Sequence, residues 1–142
     1  MSLRNAMASA MASFLGKHYK LASSDKFDEA MKALGVGLVT RKMGASVSPT
    51  VELTENDGVY TLKTLSTFKN SEIKFKLGEE FDEETPDGRT VKSTVTIDGN
   101  KMIHVQKGDK ETLIEREYGP TEMKATMKVD DIVCTRIYKL QE

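Results

Sequence analysis

Two arginines and a tyrosine carry the clearest chemistry in this sequence. Cys134-Thr-Arg136-Ile-Tyr138, near the C-terminus, reads as a β-strand because β-branched and aromatic residues alternate without Gly or Pro. Successive side chains on a strand point to opposite faces. Cys134, Arg136 and Tyr138 therefore share one face, opposite Val133, Thr135, Ile137 and Lys139. Neither face is cleanly polar or apolar. Residues 111–118 repeat the pattern more sharply: Glu111, Leu113, Glu115 and Glu117 lie opposite Thr112, Ile114, Arg116 and Tyr118. Three carboxylates mark the solvent side, which turns Arg116 inward. An inward guanidinium is costly unless something pairs with it. Two arginines and a phenol converging on one carboxylate would do so through charge-assisted hydrogen bonds. Alternation alone leaves a second arrangement open, with both arginines at the surface against Glu115, Glu117 or Asp130.

Other chemistry is sparse. His18 and His104 are lone histidines without metal-ligand spacing, and Cys134 has no partner. No nucleophile elbow and no Gly-rich phosphate loop occur. The acidic cluster over residues 79–84 lacks a calcium-loop pattern and reads as a solvated face. The expectation is a protein that is not an enzyme, with no catalytic residues, metal site or cofactor.

Composition agrees. The 142 residues suit one domain with a sizeable core, and a formal charge of −1 offers no reason to expect nucleic acid as a partner. A single Cys suits a reducing compartment, no apolar run approaches the roughly 18 residues of a membrane span, and no secretory signal is visible, so a cytoplasmic location is expected.

Positioning the arginines requires a sheet, and the chain supplies one. Residues 1–12 (MSLRNAMASAMA) read as an N-terminal extension, disordered or weakly helical, ahead of a domain over 13–142. Residues 16–23 read as a first strand, with Ser24 or Asp25 capping a helix. That helix carries an apolar stripe of Phe27, Ala30, Met31 and Leu34. A second helical spacing over 38–47, with Leu38, Val39, Met43 and Val47, ends before Pro49. The pair could be a helix-turn-helix, but its second helix is short and poor in base-reading residues.

From Pro49 onward the period is two. Turn signals such as Glu55-Asn-Asp-Gly58, Thr85-Pro-Asp-Gly88 and Asp98-Gly-Asn100 separate nine short alternating runs over residues 50–54, 59–65, 71–76, 80–84, 89–97, 101–106, 111–118, 122–128 and 132–140. With the first strand this makes ten, joined by short loops and therefore antiparallel. Ten hairpin-linked strands leave two long edges unless they close, and a barrel of that size has room for a ligand. The fold class expected is mainly β: a ten-stranded antiparallel β-barrel, or β-clam, capped by a two-helix lid.

Four stretches carry a resemblance to a known family: Phe14 to Gly37 with its Ser24-Asp-Lys-Phe27-Asp28 core; Leu62-Lys-Thr-Leu-Ser66-Thr-Phe68-Lys-Asn70; Phe75-Lys-Leu-Gly78 through Asp87-Gly-Arg89 to Ser93; and Ile114-Glu-Arg116-Glu117 with the Cys134-to-Tyr138 ending. Together they cover about residues 14–140, and over them the chain resembles the intracellular lipid-binding proteins of the calycin group, specifically fatty acid-binding proteins of the insect and muscle-like kind. Gly16-Lys-His-Tyr19 departs from that family's Gly-x-Trp by one extra residue and a Tyr, a difference expected at the closed end of the barrel. The resemblance implies a monomeric carrier of long-chain fatty acids, with the ligand carboxylate held by Arg116, Arg136 and Tyr138, Arg116 acting through ordered water. It places Phe27, Met31, Val36, Phe68, Asp87 and Arg89 at lid and portal positions, and Thr64, Ser66 and Pro49 along the cavity or its mouth. A retinoid carrier of the same fold, holding retinoic acid with the same trio, is the alternative, and a lipid-acting enzyme is a more distant one. Lys32, Arg41 and Lys42 on the lid raise transient contact with anionic membranes during delivery.

Overall fold

The computed structural model describes residues 10–141. Ten strands follow the chain: β1 (His18–Asp25), β2 (Thr50–Asn56), β3 (Val59–Leu65), β4 (Ser71–Lys76), β5 (Phe81–Glu84), β6 (Thr90–Asp98), β7 (Lys101–Lys107), β8 (Glu111–Tyr118), β9 (Glu122–Val129) and β10 (Ile132–Gln141). Two helices, α1 (Phe27–Ala33) and α2 (Leu38–Ala45), lie between β1 and β2. The expected strand count and lid are thus present.

The strands form one sheet in the order β4-β3-β2-β1-β10-β9-β8-β7-β6-β5, and every neighbouring pair is antiparallel. Pairing of β1 with β10 curls the sheet round, and β4 and β5 remain unpaired at the seam. Side chains bridge that seam in place of a ladder. Phe75 of β4 stacks on Phe81 of β5 at 5.6 Å, and Tyr60 stacks on the other side of Phe75 at 5.8 Å. Such pairs contribute about 0.5–1.5 kcal/mol beyond their buried area. The turns are locally encoded: Asp57 and Gly58 both take positive φ (51° and 84°), the geometry that matches a two-residue turn to the twist of a hairpin.

The expected cap of α1 is not formed. β1 runs on through Ser24 and Asp25, and Lys26, at φ 62°, takes the cap position without a side-chain cap hydrogen bond. The cause is a register shift between Leu21 and Ser23, which leaves Ala22 unpaired and sets Ser24 against Arg136 of β10. The Phe27, Ala30, Met31 and Leu34 stripe of α1 does bury itself, with Ala30 and Met31 packed on Val129 and Cys134. Met31→Ala would cost about 2–5 kcal/mol. The second helix does not bury its apolar spacing. None of its residues is buried, and Leu38, Val39 and Met43 face outward. It is held instead by Arg41, whose Nε donates to Asp28 Oδ1 (3.0 Å) and whose other nitrogen donates to the Val36 carbonyl (2.8 Å).

The main core fills the end of the barrel away from the lid. Tyr19 is buried there, meets Tyr118 edge-on at 5.6 Å and donates to the Gly119 carbonyl at 3.2 Å. The residue that departs from the family pattern therefore plugs the closed end. Residues 1–9 of the expected extension lie outside the described residues. Residues 10–12 form a helical turn whose Met11 is fully buried in the same core, so the packed unit includes Met11.

Candidate functional site

Between the closed end and the lid the barrel encloses a cavity of about 190 Å³. Its wall is built from the inward sets of the strands. On β3 Tyr60 and Leu62 are buried, and Thr64 follows them onto the cavity wall, as alternation predicts. On β8 the inward set is the one opposite the carboxylates: Thr112, Ile114 and Tyr118 are buried and Arg116 lines the cavity. On β10 the inward set is Cys134, Arg136 and Tyr138, which decides the orientation that alternation leaves open.

All ten residues singled out from the sequence line this cavity: Phe27, Met31, Thr64, Ser66, Phe68, Asp87, Arg89, Arg116, Arg136 and Tyr138; Val36 and Pro49 do so as well. Their roles differ in kind. Arg136 donates to the Tyr138 hydroxyl at 3.3 Å and to Ser24 Oγ at 3.3 Å, and its guanidinium lies 4.0 Å from the ring centroid of Phe27. A cation over an aromatic face gains about 0.5–2 kcal/mol, so Arg136 ties the first lid helix to the barrel wall. Asp87 and Arg89 form a forked ion pair in the turn between β5 and β6. The Ser66 hydroxyl is spent on its own loop, donating to the Lys69 carbonyl (2.9 Å) and accepting from the Lys69 amide (3.0 Å). Phe68 is 40% exposed at the rim.

Among the described residues, Arg116 makes no hydrogen bond to Arg136 or Tyr138. Its guanidinium donates to His104 Nδ1 at 3.1 Å. His104 Nε2 in turn lies 2.7 Å from Glu83 Oε1. An arginine is only ever a donor, so Nδ1 accepts and Nε2 carries the proton that His104 donates to Glu83. Ser93 Oγ donates to the same carboxylate at 2.7 Å, and Gln106 Nε2 to both its oxygens at 3.2 and 3.3 Å. Burial pushes the Glu83 carboxyl up, but the hydrogen bonds from His104, Ser93 and Gln106 outweigh it and hold it below the usual carboxylate range. Burial lowers His104 below its ordinary value and Arg116 lowers it further, against the upward pull of Glu83. Glu83 is thus an anion, His104 neutral and Arg116 a cation, joined in a line whose two ends, Glu83 and Arg116, lie on the cavity wall.

This network corrects two expectations. Glu83, read as part of a solvated acidic face, is 4% exposed, and His104 is 1% exposed rather than isolated. The signal was present in the alternation: Phe81 and Glu83 share a face on β5, as do Met102, His104 and Gln106 on β7 and Val91, Ser93 and Val95 on β6.

The model of the lipocalin / cytosolic fatty-acid binding protein family matches residues 15–141. The chain belongs to this family. It is 53% identical over 130 residues to the muscle fatty acid-binding protein of Schistocerca gregaria, covering 90% of this chain and 97% of that one. It is 60% identical to the solved fatty acid-binding protein from brain tissue of Drosophila melanogaster, with a TM-score of 0.85 and coverage of 89% of this chain and 98% of that chain. The Schistosoma mansoni fatty acid-binding protein in complex with arachidonic acid is 44% identical, with a TM-score of 0.89 and coverage of 94% and 99%.

Within this family member, the Glu83 line and the Arg136–Tyr138 pair sit on separate stretches of the wall, with Ala125 of β9 between the two arginines. Cys134 is buried behind the lid among Ala30, Met31 and Val129, and burial pushes its thiol up, which leaves little thiolate to react. Among the described residues no group of three or more His, Cys, Asp and Glu is placed to hold a metal ion.

Proposed function

We propose that this chain is an intracellular, monomeric carrier that holds one long-chain fatty acid non-covalently in its barrel, with the carboxylate received by Arg116, Arg136 and Tyr138. The charge within the cavity carries this reading. Two guanidinium charges, Arg116 and Arg136, face a single buried carboxylate, Glu83, while His104 is neutral. Arg89, Arg41 and Lys69 at the mouth are already paired with Asp87, Asp28 and Glu84. One positive charge is therefore left over inside an otherwise largely apolar space, and a monocarboxylate with an apolar tail neutralises it. The relatives in locust, fruit fly and fluke, named as fatty acid-binding proteins, support the same reading.

The tail supplies the gross affinity. About 14 methylenes at ~0.8 kcal/mol each amount to roughly 11 kcal/mol of burial. Association and ordering consume about 4–15 kcal/mol of this, so the carboxylate contacts decide which amphiphile stays. Organic extraction of the purified protein, followed by mass spectrometry, tests the reading. Long-chain fatty acids near one equivalent are expected. A retinoid in their place would replace the ligand class within the same site, and turnover of an added lipid ester would overturn the carrier reading.

For delivery we propose transient contact of the lid with anionic membranes. No helix of the described residues is long and apolar enough to cross a membrane. The second helix, however, presents Leu38, Val39 and Met43 outward beside exposed Lys42, with exposed Lys32 on the first. Apolar side chains flanked by lysines suit the surface of an anionic leaflet. Arg41 contributes less than its place in the sequence implies, because Asp28 and the Val36 carbonyl hold it.

A further inference from the structure

We infer that Glu83 is a specificity-determining residue of the cavity: its buried carboxylate leaves the wall with one surplus positive charge, so the site admits an amphiphile with a singly charged head and rejects one with a doubly charged head, such as a monoalkyl phosphate. The inference rests on the fatty acid reading above and adds to it a rule for which anions are refused.

The charges of the wall follow from its hydrogen bonds. Arg116, Arg136 and Glu83 all line the cavity. The Glu83 carboxylate receives Ser93 Oγ and His104 Nε2 at 2.7 Å each, and Gln106 Nε2 at 3.2 and 3.3 Å. Donors from two neighbouring strands thus converge on it, an environment that favours the ionised form. His104 Nδ1 accepts from Arg116 at 3.1 Å, so the ring carries a single proton and gives it to Glu83. A second proton, on Nδ1, would face the guanidinium. Asp87 and Arg89, which also line the cavity, are paired with each other.

A carboxylate placed only to support Arg116 would lie against it. Here an imidazole ring stands between the two, and among the described residues the Arg116 guanidinium donates to His104 alone. A guanidinium has five N–H donors, so most of those of Arg116 remain for a ligand. Glu83 therefore lowers the charge of the wall without occupying the donors a head group uses. An apolar residue at position 83 would fill the space at a smaller desolvation cost, so what the carboxylate adds is its charge.

A bound monoanion brings the enclosed charge to zero. A dianion leaves one negative charge uncompensated in a largely apolar space, where water screens it weakly. With Glu83 neutralised, two positive charges face the ligand and the dianion becomes the better match. Shape does not enter the comparison if the ligands are a sulfate and a phosphate monoester, both tetrahedral with three terminal oxygens and differing by one charge.

The test is displacement of a fluorescent fatty acid from the full-length protein by tetradecyl sulfate and by tetradecyl phosphate at about pH 8, where the phosphate is a dianion. The readout is the affinity ratio of the two. The wild-type protein is expected to bind the sulfate about tenfold more tightly. Glu83→Gln should remove or invert that preference. A purely structural loss at position 83 would weaken both ligands alike and leave the ratio standing. If Glu83→Gln does not fold, Glu83→Met with Gln106→Met takes its place, because it removes the anion together with the amide bound to it. A second arm uses the wild type: lowering the pH through the second ionisation of the phosphate, at about pH 6, should bring the ratio toward one. Arg116, Arg136, Tyr138, His104 and Glu83 face both heads alike, so the ratio isolates the charge of the ligand. A wild-type protein that binds the phosphate as tightly as the sulfate at the higher pH, or a sulfate preference that persists in the folded Glu83 variant, overturns the inference. If the wild type binds neither tetradecanoate nor tetradecyl sulfate, it is the carrier reading that fails.

Discussion

Arg116 and Arg136 stand at one height on the barrel wall, each directly opposite Ala125 on the strand between them. Two strand spacings of ~4.8 Å separate their backbones, and the side chain between them is a single methyl group. Like charges are thus brought onto one wall with room above Ala125 for an anion, and each guanidinium is steadied from its outer side. His104 accepts from Arg116, while Ser24, Tyr138 and the Phe27 ring hold Arg136.

The methyl group at position 125 is the simplest part of this arrangement to perturb. Ala125→Leu projects into the cavity between the arginines. Fatty acid affinity is expected to fall more than tenfold, while thermal stability changes by less than about 1.5 kcal/mol, because open space is available to the new side chain. Titration calorimetry beside thermal melts separates the two. Unchanged affinity would move the carboxylate elsewhere.

Removing one charge tests the carboxylate directly. Hydrogen bonds to charged groups contribute about 1.5–3 kcal/mol, so Arg136→Gln should weaken a fatty acid by roughly tenfold to a hundredfold. A neutral isostere, the matching alcohol or methyl ester, should lose much less. Equal losses for both ligands would sink the assignment.

Acid stability should report on the Glu83 line. His104 is held below its ordinary value, so as pH falls through the usual histidine range the unfolded chain takes a proton the folded chain refuses, and stability declines. Glu83 is held below its ordinary 4.5, so its contribution is complete above pH 4.5 and is lost as pH falls from there through its folded value. Denaturant melts of wild type and Glu83→Gln, taken between pH 7 and 2, should converge at the acid end. Parallel curves across that window would show that Glu83 does not carry the acid transition.

The lid should open more readily when its latch is cut. Arg41 is bound to Asp28 at 3.0 Å, and Asp28 is largely exposed. Exposed pairs contribute no more than about 1 kcal/mol, so Asp28→Asn should leave the melting temperature nearly unchanged. It removes one of the two contacts holding Arg41, so stopped-flow ligand dissociation should speed up several-fold. An unchanged dissociation rate would place the rate-limiting motion elsewhere.

Membrane delivery predicts a dependence on charge and on the outward apolar residues of the second helix. Transfer of a fluorescent fatty acid to vesicles should accelerate with anionic lipid content and slow with salt. Lys42→Glu and Val39→Ser should each reduce that response. Rates indifferent to lipid charge, salt and both substitutions would favour release through water.

How far the site was legible depended on the strand that carried each residue. On β8 three carboxylates mark one face as solvent, so Arg116 is legibly inward. On β10 both faces are mixed, and orientation follows only from pairing with β1 and β9. On β5 a strand of four residues within an acidic run hides Glu83, although its shared face with Phe81 was a usable signal. The cap at Ser24 was misread because an extra residue in a strand exists only relative to a partner. The second helix carries a helical apolar spacing, yet that spacing does not say whether the apolar side faces the barrel or the solvent.

The sequence by itself determined the strand count, the turns, the inward set of β8 and the family, because all of these depend on local chemistry with a period of two and on motifs contiguous in the chain. Only the tertiary structure decided that Glu83, Ser93, His104, Gln106 and Arg116, drawn from four strands, form one hydrogen-bonded network, and that Ala125 separates the two arginines. The physical reason is register. A side chain's face follows from its neighbours in sequence, but its partner follows from how ten strands align around a barrel, and that alignment is settled by the packing of the whole sheet.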